Sequence, residues 1–344
     1  MGLNFRSILK VFGIMTLIEG MFMLPASAIG LRYEEWDAAG SLFTIAIICI
    51  SIGFVLLTQL RFDKIILRTR DGYFMAFASW VYCSILGAMP LYTCGMNFSF
   101  INCLFESVAG FSTTGCSVLD IGLLPNCMLI WRGFCHWLGG MGILVLLISI
   151  FPLWGINNQS LAKAEAPGSE SVKMESKSTD MGKFLYTSYL TLSVIEFLLL
   201  LVGPMDWFNA LLATCSSIST AGLIITPGSA WMYHTLYSQV VIMIFSILSS
   251  LNFVIYFLVA RKKIKDIFKN SEIRMFFVII GIATVLVALS LRISGTYGNI
   301  WQAVKDGLFQ VVSFITTSGY FVCDYTSWPA FATAVLIILL FIGG

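Results

Sequence analysis

FESVAGFSTTGCS, residues Phe105 to Ser117, has two further copies in the chain: LATCSSISTAGLI at Leu212 to Ile224 and FQVVSFITTSGYF at Phe309 to Phe321. Aligned on Gly115, Gly222 and Gly319, all three carry a threonine two residues before the glycine (Thr113, Thr220, Thr317) and a hydroxyl residue three before it (Ser112, Ser219, Thr316). A bulky apolar residue stands four before the glycine (Phe111, Ile218, Ile315) and a leucine eleven before it (Leu104, Leu211, Leu308). One unit used three times makes repetition the first fact to explain.

The chain around these copies is 58% hydrophobic and 11% charged over 344 residues, where a soluble domain carries about 25% charged residues. An integral membrane protein is the class this implies. Its nine cysteines stand singly in apolar surroundings and read as small packing residues. Cys94, Cys103 and Cys127 fall toward the outer side, where a disulfide is conceivable but unsupported by spacing. With two histidines and no clustered acid, base, nucleophile or metal-ligand spacing, a membrane enzyme is disfavoured, and neither a cofactor nor a nucleic-acid partner is expected.

A spanning helix needs about 20 mostly apolar residues. Such stretches lie near 10–31, 40–60, 74–93, 130–152, 184–203, 236–260, 275–293 and 329–344. The first also resembles a signal peptide, with Ala26, Ser27 and Ala28 at the cleavage-like end, although it is long for one. Sixteen of the 20 basic residues, from Arg6 and Lys10 to the Arg261–Arg274 cluster, lie in alternate connections. That side is the cytoplasm, which puts the N-terminus there too. The three repeats fall on the other side. Each follows about ten apolar residues (Phe100 to Ala109, Trp207 to Ser216, Ala303 to Val312), a helix of only about 15 Å. The stretch dips in and returns. Irregular backbone at membrane depth must be buried in protein or line a watery cavity, so the expected fold is all-α, with helix, re-entrant hairpin, helix units around a pore.

Rings of backbone carbonyls can replace the water shell of a cation without placing a full charge in the membrane. Turning successive carbonyls inward asks one residue for a conformation that glycine reaches cheaply. The threonine hydroxyls either add ligands or pin the loop from behind. No Lys or Arg occurs in the stretches, and the half-helix C-termini favour a cation. Small and hydroxyl residues are also ordinary helix-contact residues in membranes, but three aligned copies on one side favour the filter. Glu106, with Ala213 and Gln310 at its equivalent positions, either concentrates cations or hydrogen-bonds behind the filter. Glu19 and Glu196 are read as pairing within the bundle. Arg132 and His136 frame the outer pore or cap a helix, and Gly139, Gly140 and Gly142 permit close helix contact.

Phe105 to Leu146 closely resembles the first pore unit of TrkH-type potassium uptake proteins, in the Trk/Ktr/HKT superfamily; AEAPGSES (Ala164 to Ser171), STAGL of the second repeat and NFVIYF (Asn252 to Phe257) match as well. The resemblance implies potassium sites at the two residues before each glycine: Thr113 and Thr114 with Gly115, Thr220 and Ala221 with Gly222, Thr317 and Ser318 with Gly319. Ser112, Cys116, Ser219, Leu223, Thr316 and Tyr320 would support them. It also implies a homodimer in the cytoplasmic membrane, in contact with lipid and gated by a cytosolic, TrkA-like nucleotide-binding ring. Glycine at 115, rather than the serine of sodium-preferring plant relatives, favours potassium. The expected layout is a leading helix pair (1–70), a first pore unit (71–160), a cytoplasmic linker (161–183), a second unit (184–265) and an incomplete third (266–344). Family members continue into a fourth unit, so a truncated chain is expected. A sodium-preferring or poorly selective transporter, and a non-transporting subunit that assembles with full-length copies, remain alternatives.

Overall fold

Apolar segments too long for a soluble core become helices here. The computed structural model describes residues 5–59, 69–142, 178–222, 235–251, 256 and 270–343, and among these every regular element is helical. In chain order they are α1 (Phe5–Arg32), α2 (Trp36–Gln59), α3 (Thr69–Thr93), α4 (Phe100–Phe111), α5 (Asn126–Gly140), α6 (Ser178–Val202), α7 (Trp207–Ile218), α8 (Leu236–Ser250), α9 (Ser271–Ile293), α10 (Ile300–Ile315) and α11 (Ala330–Gly343). Each of the eight apolar stretches holds a helix. Stretches within α1, α2, α6 and α9 are long and apolar enough to cross a membrane. Their exposed faces carry large apolar side chains, such as Phe43, Ile47 and Phe54 on α2 and Phe277, Ile282 and Leu289 on α9, as lipid contact requires. The linker at 161–177, Leu223 and most of the basic loop before α9 lie outside the described residues.

The chain divides into two units, Met1–Thr187 and Ser188–Gly344. In the first, α1 and α2 form a tight antiparallel pair: a Cβ on Gly53 would fall 2.7 Å from the Gly13 carbonyl oxygen. Lys10, expected at the membrane flank, is buried within α1, and Ala26 to Ala28 lie in the same helix, where Ser27 Oγ donates to the Ala39 carbonyl at 2.8 Å. The connection after α1 caps the pore unit. Glu35 Oε1 accepts from the Asn126 backbone N–H at 2.7 Å and Oε2 from that of Cys127 at 2.9 Å, so a carboxylate meets the N-terminus of α5, where the helix dipole is positive. Cys94, Cys103 and Cys127 are buried free thiols, in keeping with the packing reading and not with a disulfide among them.

In the second unit, α9, α10 and α11 share a core that includes Val287, Leu291, Val311, Ile315, Ala332 and Leu336. Side chains close the open N–H groups at several helix starts. Asp206 Oδ2 accepts from Asn209 N at 3.3 Å and Asn299 Oδ1 from Trp301 N at 2.9 Å.

One contact recurs in both units. A Cβ on Gly139 of α5 would collide with the Phe111 carbonyl that ends α4, and a Cβ on Gly343 of α11 would collide with the Ile315 carbonyl that ends α10. Both glycines lie 24 residues after the repeat glycine. Gly139→Ala is therefore expected to lower the thermal stability of detergent-solubilised protein by about 1–3 kcal/mol through overpacking. Gly40→Ala and Gly281→Ala, where a Cβ would meet nothing within 4 Å, should leave it unchanged or raised. Equal effects at all three positions would contradict the close approach.

Candidate functional site

α4, α7 and α10 end in the same way. The N–H of Thr113 bonds to the Gly110 carbonyl at 3.0 Å and that of Thr114 to the Ala109 carbonyl at 2.9 Å. Thr220 and Ala221 repeat this onto Ser217 and Ser216 at 3.1 and 3.0 Å, and Thr317 and Ser318 onto Phe314 and Ser313 at 3.2 and 3.0 Å. This is the Schellman stop, whose turning residue takes a left-handed conformation and is usually glycine. Here that residue is threonine, at φ 53° (Thr113), 51° (Thr220) and 54° (Thr317). A β-branched residue with positive φ is a steric outlier. Two residues later Gly115, Gly222 and Gly319 are also left-handed, at φ 73°, 65° and 68°, as expected of the glycines.

These bonds decide which carbonyls remain. The last helical turn gives two to the Schellman bonds, and the carbonyls of Phe111 and Ile315 abut Gly139 and Gly343. The Thr220 hydroxyl donates to the Ser219 carbonyl at 2.8 Å and that of Thr317 to the Thr316 carbonyl at 2.7 Å. In these two hairpins the threonine pins the loop. Among the described residues no hydrogen bond reaches the carbonyls of Thr113, Thr114, Thr220, Ala221, Thr317 or Ser318. Those oxygens belong to the two residues before each glycine.

A family model described as TrkH, cation transport protein, matches residues 40–344. The chain belongs to the TrkH family. It is 30% identical to the Trk system potassium uptake protein TrkH of Escherichia coli, over 99% of this chain and 71% of that protein. The TrkH of Halomonas elongata is 29% identical over the same shares. The crystal structure of the potassium transporter TrkH from Vibrio parahaemolyticus superposes with a TM-score of 0.84 at 26% identity, covering 99% of this chain and 71% of that one.

The supporting positions of this TrkH-family chain divide by hairpin. Ser112 and Thr114 hydroxyls lie 2.7 Å apart in the first, Ser219 Oγ donates to the Cys215 carbonyl at 2.6 Å in the second, and Thr316 Oγ1 donates to the Val312 carbonyl at 2.8 Å in the third. Cys116 is exposed. Tyr320 is buried, and its hydroxyl donates to the Ala213 carbonyl at 2.8 Å, tying the third hairpin to the second. There a Cβ on Gly319 would stand 2.5 Å from Gly222 Cα, so the two hairpins meet glycine to glycine.

Four buried polar side chains lie behind the loops. Glu106 Oε1 accepts from Ser117 Oγ at 2.5 Å, Val118 N at 2.7 Å and Leu119 N at 3.1 Å, while Oε2 lies 2.8 Å from Arg132 Nη2. Of the two readings of Glu106, hydrogen bonding behind the loop is the observed one. Arg132 is buried against it rather than framing a pore, and His136 Nδ1 lies 2.7 Å from the Arg132 carbonyl. Glu196, buried on α6, accepts from Ser217 Oγ at 2.6 Å in the last turn of α7. Near the third hairpin, burial and the neighbouring Cys323 and Asp306 push the Tyr297 phenol above its ordinary value, so it remains a neutral donor.

Sequence reasoning missed a further pair. Asp120 Oδ1 accepts from Gly122 N and Asp324 Oδ1 from Thr326 N, both at 3.0 Å. Each aspartate follows its repeat glycine by five residues, and a proline (Pro125, Pro329) follows by ten. Extending the alignment past the glycine would have found both. Strain at the threonines is testable. Left-handed geometry costs a non-glycine residue about 1–2 kcal/mol, so Thr220→Gly should leave the melting temperature unchanged or raised while weakening cation discrimination. A clear loss of stability would contradict the strain.

Proposed function

We propose that this chain mediates potassium uptake, with the carbonyls of Thr113, Thr114, Thr220, Ala221, Thr317 and Ser318 replacing water around the ion and Gly115, Gly222 and Gly319 giving the loops their turn. The observation that carries this reading recurs in every repeat: a strained stop after which, among the described residues, the carbonyls of the two residues before the glycine accept no hydrogen bond. Carbonyl dipoles suit a cation that must shed its water. The relatives named as potassium uptake proteins support potassium as the ion.

The wider reading follows from the family resemblance. The protein sits in the cytoplasmic membrane with its N-terminus inside, works as a homodimer, and is gated by a cytosolic nucleotide-binding ring. The gathering of basic residues in alternate connections supports that orientation.

In a host stripped of its own potassium uptake systems, the intact gene product is expected to restore growth at low potassium and to take up rubidium. Normal membrane insertion without uptake would contradict the proposal. Gly115→Ser should shift preference toward sodium by roughly tenfold, ~1.4 kcal/mol, and unchanged selectivity would remove Gly115 from the filter.

A further inference from the structure

Nine residues before the repeat glycine the first hairpin carries Glu106 and the third carries Gln310; seventeen after it, α5 carries Arg132 and α11 carries Leu336. The registers are comparable because α5 and α11 both begin eleven residues after their glycine. Each of the earlier side chains reaches the returning loop at the same place. Glu106 Oε1 accepts from Leu119 N at 3.1 Å, and Gln310 Nε2 lies 3.9 Å from Cys323 Sγ; Leu119 and Cys323 are each four residues past the glycine.

We propose that Glu106 is a positioning residue for the first filter loop, acting through its hydrogen bonds to residues 117–119, and that Arg132 serves to neutralise it. The inference rests on the filter reading given above. Three observations separate it from a cation-attracting role. Glu106 is 2% exposed, so its carboxylate does not face solvent. Its Oε1 accepts from three loop donors, and its Oε2 stands in an ion pair 2.8 Å from a guanidinium. The second and third repeats place uncharged Ala213 and Gln310 at its position. The arginine has no comparable loop role. Its Nε and Nη1 find no hydrogen-bond partner among the described residues, so its one described charge partner is Glu106. Removing either member alone would leave a buried charge unpaired. Single variants would therefore confuse charge with position.

Two charge-neutral double variants separate them. Glu106→Gln with Arg132→Leu gives these two positions the residues of the third hairpin and keeps a carbonyl oxygen for the three loop donors. Glu106→Ala with Arg132→Leu is equally neutral but removes the acceptor. The readout is the ratio of rubidium to sodium uptake per inserted molecule of the intact gene product. The alanine pair is expected to lose about tenfold of this preference, ~1.4 kcal/mol, and the glutamine pair to recover it. Equal ratios for the two pairs, or failure of the glutamine pair to insert, would overturn the proposal. If the alanine pair does not insert, Ser117→Ala takes its place: it removes one loop bond and no charge, and should shift the ratio in the same direction by a smaller factor. No shift there would also overturn it. Gly115→Ser measured alongside distinguishes the failures. A shift for Gly115→Ser with indistinguishable pairs leaves the filter standing and removes the brace, whereas no shift for Gly115→Ser removes Gly115 from the filter and with it the loop the brace would position.

Discussion

Hydrocarbon offers a carbonyl oxygen no hydrogen bond, so a helix that stops inside a membrane has to satisfy its last carbonyls within the protein or present them to a bound group. All three half-helices take the first of two steps, and the first and third also take the second. Schellman bonds engage the carbonyls of Ala109 and Gly110 and of their counterparts, and glycines on α5 and α11 let the next carbonyl, at Phe111 and Ile315, lie against a neighbouring backbone. Among the described residues the carbonyls of Thr113 and Thr114 and their equivalents accept no hydrogen bond. Their availability follows from how the helix ends.

The stop is strained, and the rest of each unit restrains it. Threonine in place of glycine at the turning position costs local energy, and such strain persists only where the surroundings over-determine the conformation. In the first hairpin the restraint is a buried ion pair that also grips the returning loop. In the second it is Glu196 on α6 holding Ser217, and in the third the Tyr320 hydroxyl anchors on Ala213. Glu35 adds a cap on α5, the helix that carries Arg132 and Gly139. The repeats therefore share backbone geometry but not the side chains that support it.

This division explains what the sequence made legible. The triplication and the left-handed glycines follow from local pattern, and the family resemblance rested on the same motifs; the half-helices, at 12, 12 and 16 residues, run longer than the ten apolar residues read from the sequence. The left-handed threonines do not follow, because β-branched residues disfavour that region and no propensity would put them there. Their signal was indirect: after a helix ending at Phe111, two turns of the backbone have to fit before Gly115. The Glu106–Arg132 pair, 26 residues apart, joins two different helices, which periodicity along either helix cannot show. Gly139 was readable as a close-contact glycine, but its counterpart Gly343 and the carbonyls that the two approach were not.

Among the described residues the two carbonyls before each glycine accept no hydrogen bond, and on the proposed reading they take the ion. A crystal structure of the intact gene product grown in rubidium tests this most directly. An anomalous peak in coordinating distance of the Thr113, Thr220 and Thr317 carbonyls is the expected result. Rubidium bound only by side-chain oxygens, or those carbonyls turned away into hydrogen bonds, would contradict it.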